Sequence, residues 1–144
     1  MFYNKYEHTI DEKSRIRIPK EYRAKLGNDV VIGQGVTKCL YIYPREYFES
    51  LHESRLTADM FDYKKQYAMG EFISSYVNPE IDSQGRIIIP KDLKAYAGIT
   101  KNIITRGNGD KIEIWSEEVY AKREIAPGSE FIRLLAPKEN ESGI

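Results

Sequence analysis

The chain has 144 residues, a length that suits one compact domain or two small units that share a core. Lysine plus arginine and aspartate plus glutamate both number 22, so the net charge is zero and does not identify an anionic partner. The single cysteine, Cys39, excludes an intramolecular disulfide and a cysteine-based zinc site. It lies in an apolar stretch, so we interpret it as a small buried residue.

No apolar run approaches the roughly 20 residues of a membrane span, and the charged N-terminus does not resemble a signal peptide. We therefore expect a cytoplasmic protein with no membrane partner.

The chain begins with two short segments that alternate as β-strands do. Residues 3–10 form the first, and residues 15–18 form the second, in which isoleucines are expected to face the core and arginines to face outward. Pro19 ends this strand and suits the first position of a helix. Gly27 is the expected C-cap of that short helix.

A strand–turn–strand pattern follows, and Gly33-Gln34-Gly35 is its predicted turn. From Pro44 onward the pattern becomes helical. The two helical segments carry one apolar stripe, formed by Tyr47, Phe48, Leu51, Met60, Tyr63 and Tyr67. We interpret this stripe as core or subunit contact in preference to a base-stacking site.

A stretch of eleven residues then recurs 71 positions after its first occurrence. Residues 10–20 read IDEKSRIRIPK and residues 81–91 read IDSQGRIIIPK, with seven identities. A second hairpin pattern follows, with Gly107-Asn108-Gly109 as its predicted turn. Each copy is too small to bury a secure core alone, so the copies are expected to pack on each other or interleave.

The duplication predicts two β-β-α-β-β units related by pseudo-twofold symmetry. The predicted divisions are unit one at residues 5–47, a helical connector at 48–75, unit two at 76–119 and a C-terminal tail at 120–144.

Both copies place an arginine four residues after an aspartate, as Asp11 with Arg15 and Asp82 with Arg86. One interpretation is structural, because aspartate favours turns and a surface ion pair contributes only about 0–1 kcal/mol. The duplication favours a role for the arginine head group, since a turn can be built from many sequences. The planar guanidinium suits phosphate oxygens or the O6 and N7 edge of guanine. A nearby aspartate could hold it in one rotamer.

Further basic residues flank these motifs. Residues 13–25 contain six basic side chains and one acid, Glu21. Such a local excess can bind nucleic acid on a neutral protein, mainly through phosphate contacts. The candidate DNA-binding residues are Asp11, Lys13, Arg15, Arg17, Lys20, Arg23, Asp82, Arg86 and Lys91.

Enzyme interpretations have little support in the sequence. His8 and His52 lie far apart and match no metal-ligand spacing, and no glycine-rich phosphate loop is present. We interpret His8 as a strand residue and His52 as an exposed helical one. We predict no catalytic residue, metal site, cofactor or small-molecule substrate.

Over about residues 1–120 the chain resembles a known family. The features that carry the resemblance are Met1-Phe2, residues 6–13, the doubled motif with its prolines, Leu40-x-Ile42-Tyr43-Pro44 and Ile112-Glu113-Ile114-Trp115. They resemble the MraZ family, which is similar to the swapped-hairpin DNA binders of the AbrB/SpoVT and MazE class. Two features depart from the family pattern. Ser14 stands where glycine is usual, which suggests a tighter or strained first turn, and the tail with Pro127, Gly128 and Pro137 differs from the usual helical ending.

The resemblance implies a mainly β chain with short helices, in which both units form one double-split β-barrel. It also implies subunits assembled into a closed ring. The implied function is a bacterial transcriptional regulator, usually a repressor, at the promoter of the division and cell-wall gene cluster. Its motif residues correspond here to Asp11, Arg15, Asp82 and Arg86.

We therefore expect a nucleoid-associated regulator that binds repeated operator elements in double-stranded DNA through basic turns on a homo-oligomeric ring. The alternative is a protein-interaction ring or antitoxin-like module whose basic face binds an acidic protein.

Overall fold

The structure is a computed structural model that describes residues 1–53, 60–123 and 134–135. The strands are β1 (Lys5–Thr9), β2 (Arg15–Arg17), β3 (Val30–Gln34), β4 (Leu40–Pro44), β5 (Arg86–Ile88), β6 (Asn102–Asn108) and β7 (Lys111–Ser116). The helices are α1 (Lys20–Leu26), α2 (Arg45–Glu53), α3 (Tyr63–Ser74), α4 (Lys91–Ala97) and α5 (Glu117–Ala121). The prediction of a mainly β chain with short helices is confirmed.

Five strands form one antiparallel sheet in the order β1-β6-β7-β4-β3, and β2 pairs with β5 in a separate ribbon of two strands. Within the described residues, β1 and β3 are the edges of the sheet. Hydrogen bonding therefore does not close the sheet into the barrel that the resemblance implied, although the strands and helices are consistent with an MraZ-like fold.

The two repeats are interleaved by these pairings. In the ribbon, Ile16 pairs with Ile87, its equivalent 71 residues later. In the sheet, Tyr41 pairs with Glu113, its equivalent 72 residues later. A residue that pairs with its own equivalent lies on a twofold axis, as at a symmetric dimer interface. The repeats therefore have the predicted pseudo-twofold relationship.

Reciprocal hydrogen bonds join the two copies of the motif. The Ile18 N–H donates to the Gly85 carbonyl at 2.9 Å, and the Ile89 N–H donates to the Ser14 carbonyl at 2.8 Å. The isoleucines of both copies enter one buried cluster, whose members include Ile16, Ile18, Leu26, Ile42, Ile87, Ile89, Leu93 and Ile114. The halves thus share a single core between the ribbon, α1, α4 and one face of the sheet.

The opposite face of the sheet carries a second, aromatic cluster, which includes Tyr43, Phe48, Trp115 and Tyr120. His52 is buried beside it, with ring centroids 4.6 Å from Phe48 and 5.4 Å from Phe72. The prediction of an exposed His52 is wrong, because α3 packs its C-terminal half against α2. Cys39 is fully buried in this cluster, as predicted, and burial raises the pKa of its thiol to about 12.

Helices α1 and α4 end where the sequence predicts, and each begins one residue after its proline, which is the N-cap and not the predicted first helical position. Pro19 and Pro90 directly precede α1 and α4, and Gly27 and Gly98 cap them with φ of 75° and 67°. The first unit has the predicted β-β-α-β-β order. The second departs from it in the described residues, because its first strand is reduced to one bridge, between Val77 and Ile32.

Both hairpins are confirmed, but their predicted turns are wrong. In the first, residues 35–39 connect the strands, and the Gly35 N–H donates to the Cys39 carbonyl at 2.7 Å. In the second, Asn108 pairs with Lys111, so the turn is Gly109-Asp110. The leading residues of both predicted triplets belong to strands.

The apolar stripe of the connector divides into two parts. Phe48 is buried, whereas Met60, Tyr63 and Tyr67 are exposed, so core packing does not account for them. Residues 54–59 of the connector lie outside the described residues. So does nearly all of the tail beyond residue 123, including Pro127, Gly128 and Pro137.

Candidate nucleic-acid interface

The two copies of the Asp-x-x-x-Arg motif form equivalent turns. Asp11 Oδ1 accepts the backbone N–H groups of Lys13 at 2.9 Å and Arg15 at 2.8 Å. Asp82 Oδ1 accepts those of Gln84 and Arg86, both at 2.9 Å. These bonds explain why the motif requires aspartate, since a carboxylate accepts several backbone donors at once.

The hydrogen bonds also set the charge state of the turns. The pKa of Asp11 and that of Asp82 lie below the usual aspartate value, mainly because each carboxylate accepts the backbone N–H of its arginine and also interacts with the arginine side chain. Both carboxylates are therefore negatively charged at neutral pH. Each can act as a fixed anionic partner for its arginine.

Ser14 and Gly85 occupy the same position in the two turns, both at positive φ, 59° and 75°. The hydrogen bonds that close the turns, from Ser14 N–H to the Asp11 carbonyl and from Gly85 N–H to the Asp82 carbonyl, measure 3.0 and 2.9 Å. The first turn is therefore no tighter than the second. Serine at positive φ does carry conformational strain, as the sequence suggested.

The aspartates hold the arginine side chains. Arg15 Nε donates to Asp11 Oδ2 at 2.7 Å, and Arg86 Nε donates to Asp82 Oδ2 at 2.8 Å. Nε is one of five guanidinium donors, so each ion pair restricts the rotamer while leaving four N–H groups at the end of the side chain for other acceptors. The predicted role of aspartate in orienting arginine is present in both copies.

The β2–β5 ribbon brings both arginines to one surface. Residues directly opposite each other in an antiparallel pair lie on the same face, and alternate residues of a strand share a face. Arg15 pairs with Ile88 and Arg17 pairs with Arg86, while the buried Ile16 and Ile87 face the core. We call Arg15, Arg17, Arg86 and Ile88 the outer face of the ribbon.

Gln84 joins the outer face to helix α1. Its side-chain oxygen accepts from Arg17 Nη2 at 3.3 Å, and its backbone carbonyl accepts from Arg23 Nη1 at 3.4 Å. Arg23 of the first repeat therefore reaches the turn of the second. Gln84 is not among the predicted residues, and the signal that could have found it is its position in the second motif, equivalent to Lys13 in the first.

Comparison with known proteins identifies the family. The family model described as "MraZ protein, putative antitoxin-like" matches residues 1–68 and 72–126. The chain belongs to the MraZ family. Proteins named "Transcriptional regulator MraZ" are 36% identical in Clostridium beijerinckii and 35% identical in Clostridium tetani, each over 144 residues and all of both chains. The protein of the same name from Leuconostoc citreum is 40% identical over 119 residues, 82% of each chain.

These MraZ relatives are named as regulators and not as enzymes, which agrees with the non-enzyme interpretation of the sequence. The two histidines of the chain also lie in separate environments. His8 is in β1, where its Nε2 is 2.6 Å from Thr105 Oγ1, and burial lowers its pKa. The described residues contain no cluster of three metal-ligating side chains, and no helix among them is long and apolar enough to cross a bilayer.

The remaining predicted residues of this MraZ-family chain surround the ribbon. Lys13 lies in the first turn, Lys20 begins α1 and Lys91 begins α4, and all three are exposed. Their contribution to DNA binding stays a prediction.

A second charged cluster of the chain has a structural explanation. Glu113 is buried and accepts from Arg106 Nε at 2.6 Å, Asn108 Nδ2 at 2.7 Å and Trp115 Nε1 at 2.8 Å. A buried carboxylate with this many donors is well satisfied. It lies in the sheet and is not part of the outer face of the ribbon.

Proposed function

We propose that this chain is a sequence-specific, DNA-binding transcriptional regulator and that the outer face of the β2–β5 ribbon reads the DNA. The observation that carries the proposal is the convergence of Arg15, Arg17 and Arg86 on one face of the ribbon, where Arg17 is exposed and the side chains of Arg15 and Arg86 are half-buried. A ribbon of two strands fits the major groove of B-DNA, which is about 12 Å wide. The relatives named as transcriptional regulators support the same conclusion.

The basic residues of this surface have two roles. Arg15 and Arg86, held by their aspartates, donate to the O6 and N7 edge of guanine, for which arginine is the commonest partner. Ordering the guanidinium before binding lowers the entropy lost on association. Phosphate contacts, which add affinity without sequence information, come from Lys13, Arg17, Lys20, Arg23 and Lys91.

The pairing of Arg17 with Arg86 favours an anionic ligand. Like charges directly opposite each other destabilise a β-ladder, by up to about 1 kcal/mol. DNA between or beside these side chains would offset that repulsion with phosphate oxygens and guanine acceptors.

Assembly supplies the affinity that one ribbon lacks. A few phosphate contacts give non-specific dissociation constants near ~10⁻⁴ to 10⁻⁶ M. A ring of several subunits on repeated operator elements would raise the apparent affinity by about 10²–10⁴. The exposed Met60, Tyr63 and Tyr67 support such an assembly, since apolar patches of this kind mark interfaces. The family resemblance suggests repression of the division and cell-wall gene cluster as the output.

A protein-interaction ring is the second candidate, and the antitoxin-like description of the family model favours it. The same arginines would then bind carboxylates of an acidic protein. Such a surface would show weak, sequence-independent binding to duplex DNA.

Arginine substitutions test the proposal on duplex DNA from upstream of the gene, with scrambled duplex for comparison. We expect Arg15→Ala and Arg86→Ala each to weaken operator binding by about 1–3 kcal/mol per contact, because each removes a base contact. The same contact is lost at every subunit of the ring that binds the operator, so the total loss of affinity is larger. Lys20→Ala should weaken both duplexes alike and lower the salt slope by about one unit. Fluorescence anisotropy across a salt series measures both effects.

Lys122→Ala provides a matched control for the loss of a surface cation, because Lys122 lies in the turn after α5 and pairs with Glu118. It should bind both duplexes as the wild type does. Wild-type affinity in an Arg15→Ala, Arg86→Ala double variant would exclude the ribbon as the DNA-reading element. Equal binding of operator and scrambled duplex by the wild type would favour the protein-interaction candidate.

A further inference from the structure

Ile88 is the one apolar member of the ribbon's outer face. It is 60% exposed, although its strand neighbours Ile87 and Ile89 are both 1% exposed. Strand alternation explains the difference, since Ile87 and Ile89 face the shared core and Ile88 faces away from it. Its side chain therefore adds nothing to that core.

The neighbours of Ile88 are the proposed DNA-reading arginines. Ile88 lies directly opposite Arg15 across the ribbon and two residues beyond Arg86 on the same strand. Its equivalent in the first repeat is Arg17, 71 residues earlier. The outer face thus has two sets of equivalent positions. Arg15 and Arg86 are identical in the two repeats, whereas the other set has Arg17 in the first repeat and Ile88 in the second.

We propose that Ile88 is a specificity-determining residue that packs against the methyl group of a thymine in the major groove, an inference that rests on the proposed function of the ribbon. The C5-methyl of thymine is the apolar group that base pairs present there, and apolar side chains recognise it. A branched aliphatic side chain provides contact area but no hydrogen bond, so it selects the methyl and nothing else on the base edge.

The register of the ribbon makes this contact directional. Arg17 and Ile88 occupy pseudo-equivalent positions on opposite sides of the twofold axis, so the two halves of the ribbon offer different chemistry to the groove. One half offers a second guanidinium, and the other offers an apolar surface. The DNA element that one ribbon binds is therefore asymmetric in sequence, with a thymine on the side that faces Ile88.

Replacing thymine by uracil tests the contact, because uracil lacks only the C5-methyl. The duplex from upstream of the gene is amplified once with thymidine triphosphate and once with deoxyuridine triphosphate. We expect the wild type to bind the uracil duplex about fourfold more weakly for each methyl contacted, a factor that corresponds to about 0.8 kcal/mol per buried carbon. We expect Ile88→Ala to bind the thymine duplex more weakly and to lose most of this discrimination.

Two further variants isolate the effect. Val36→Ala removes an even more exposed aliphatic side chain, 78% exposed, from the β3–β4 turn outside the ribbon, and this variant should discriminate as the wild type does. Ile88→Arg restores the arginine of the first repeat, and should still bind duplex DNA while losing the preference for thymine. An unchanged melting temperature in Ile88→Ala would assign its binding loss to the contact and not to the fold.

The outcomes separate this inference from the proposed function. A wild type that binds both duplexes equally, or an Ile88→Ala variant that discriminates as fully as the wild type, overturns the role of Ile88 and leaves DNA binding by the arginines intact. A wild type that binds neither duplex above scrambled DNA overturns the proposed function and this inference together.

Discussion

Among single residues, Ser14 and Gly85 show how one backbone position can be filled in two ways. Both have positive φ, which glycine adopts without steric cost and serine does not. Ser14 has a compensating contact, because its Oγ accepts from Lys94 Nζ at 2.9 Å. At Gly85 the Arg23 side chain lies where a side chain of residue 85 would be, and an added Cβ would lie 2.8 Å from Cδ of Arg23. Any other residue at position 85 would require the flexible end of the Arg23 side chain to move.

Gly85→Ser is expected to lower the free energy of unfolding by about 1 kcal/mol, through strain at positive φ and displacement of Arg23. Ser14→Gly should be close to neutral, because relief of strain is offset by the lost Lys94 contact and by greater backbone entropy in the unfolded chain. Urea denaturation of both variants measures the difference. Equal stability of Gly85→Ser and the wild type would contradict the strain argument.

The β2–β5 ribbon is an element in which stability and the proposed function oppose each other. Arg17 and Arg86 face each other across the two strands, and both carry positive charge. The repulsion is partly relieved by the Asp82 carboxylate, which pairs with Arg86 at 2.8 Å, and by the Gln84 side chain, which accepts from Arg17. Removing one charge should therefore stabilise the ribbon and weaken its binding to an anion.

Arg17→Gln is expected to raise the free energy of unfolding by a few tenths to about 1 kcal/mol at low salt. The gain should shrink as salt is added, because exposed charges are screened within about 10 Å at 0.1 M. The same variant should bind operator DNA more weakly. Arg17→Lys retains the charge and is the matched control, which should show no salt-sensitive gain. Destabilisation by Arg17→Gln at low salt would argue that the Asp82 ion pair and the Gln84 hydrogen bond already outweigh the repulsion.

Elements with local signals could be predicted from the sequence. The Asp-x-x-x-Arg turns, the prolines before α1 and α4 and the glycine caps depend on a few neighbouring residues, and the structure confirms them. The hairpin turns were predicted at the wrong residues because Gly33 and Gly107 lie in strands, where the lack of a side chain lets another part of the chain approach closely. A Cβ at Gly33 would overlap the Tyr76 ring, 2.7 Å from its Cδ2, and one at Gly107 would lie 2.6 Å from Cα of Tyr3. Such close approaches depend on distant parts of the chain.

Other features of the site needed the long-range pairing. The doubled motif predicted that Arg15 and Arg86 have one role, but the pairing of Arg17 with Arg86 follows only from the ribbon's register. The exposure of Ile88 could not be predicted either, because the run of isoleucines at 87–89 is typical of a buried strand. The burial of His52 depends on how α3 packs against α2, which the helical pattern alone does not specify.

On the scale of the whole molecule, the interleaved repeats leave one surface uncovered by residues 1–53, 60–123 and 134–135, the part of the chain that the structure describes. The core cluster and the aromatic cluster cover both faces of the sheet, and α3 contributes the half-buried Phe72 and Ile73 to the second. The N-terminal half of α3 is different. Tyr63 is 77% exposed and Tyr67 is 70% exposed, one helical turn apart, and Met60 and Phe61 are exposed just before them. Such a patch is expected to be covered when subunits assemble.

A Tyr63→Ser, Tyr67→Ser double variant is expected to dissociate the oligomer while each subunit stays folded, because both side chains are exposed and lie outside the two buried clusters. Light scattering should give a multiple of the chain mass for the wild type at micromolar concentration and a smaller mass for the variant. Operator affinity should fall by about 10²–10⁴, the avidity lost with the ring. Val36→Ser, in the β3–β4 turn, is the control and should keep the wild-type mass. A monomeric wild type would contradict the ring, and an unchanged variant would place the subunit contact elsewhere.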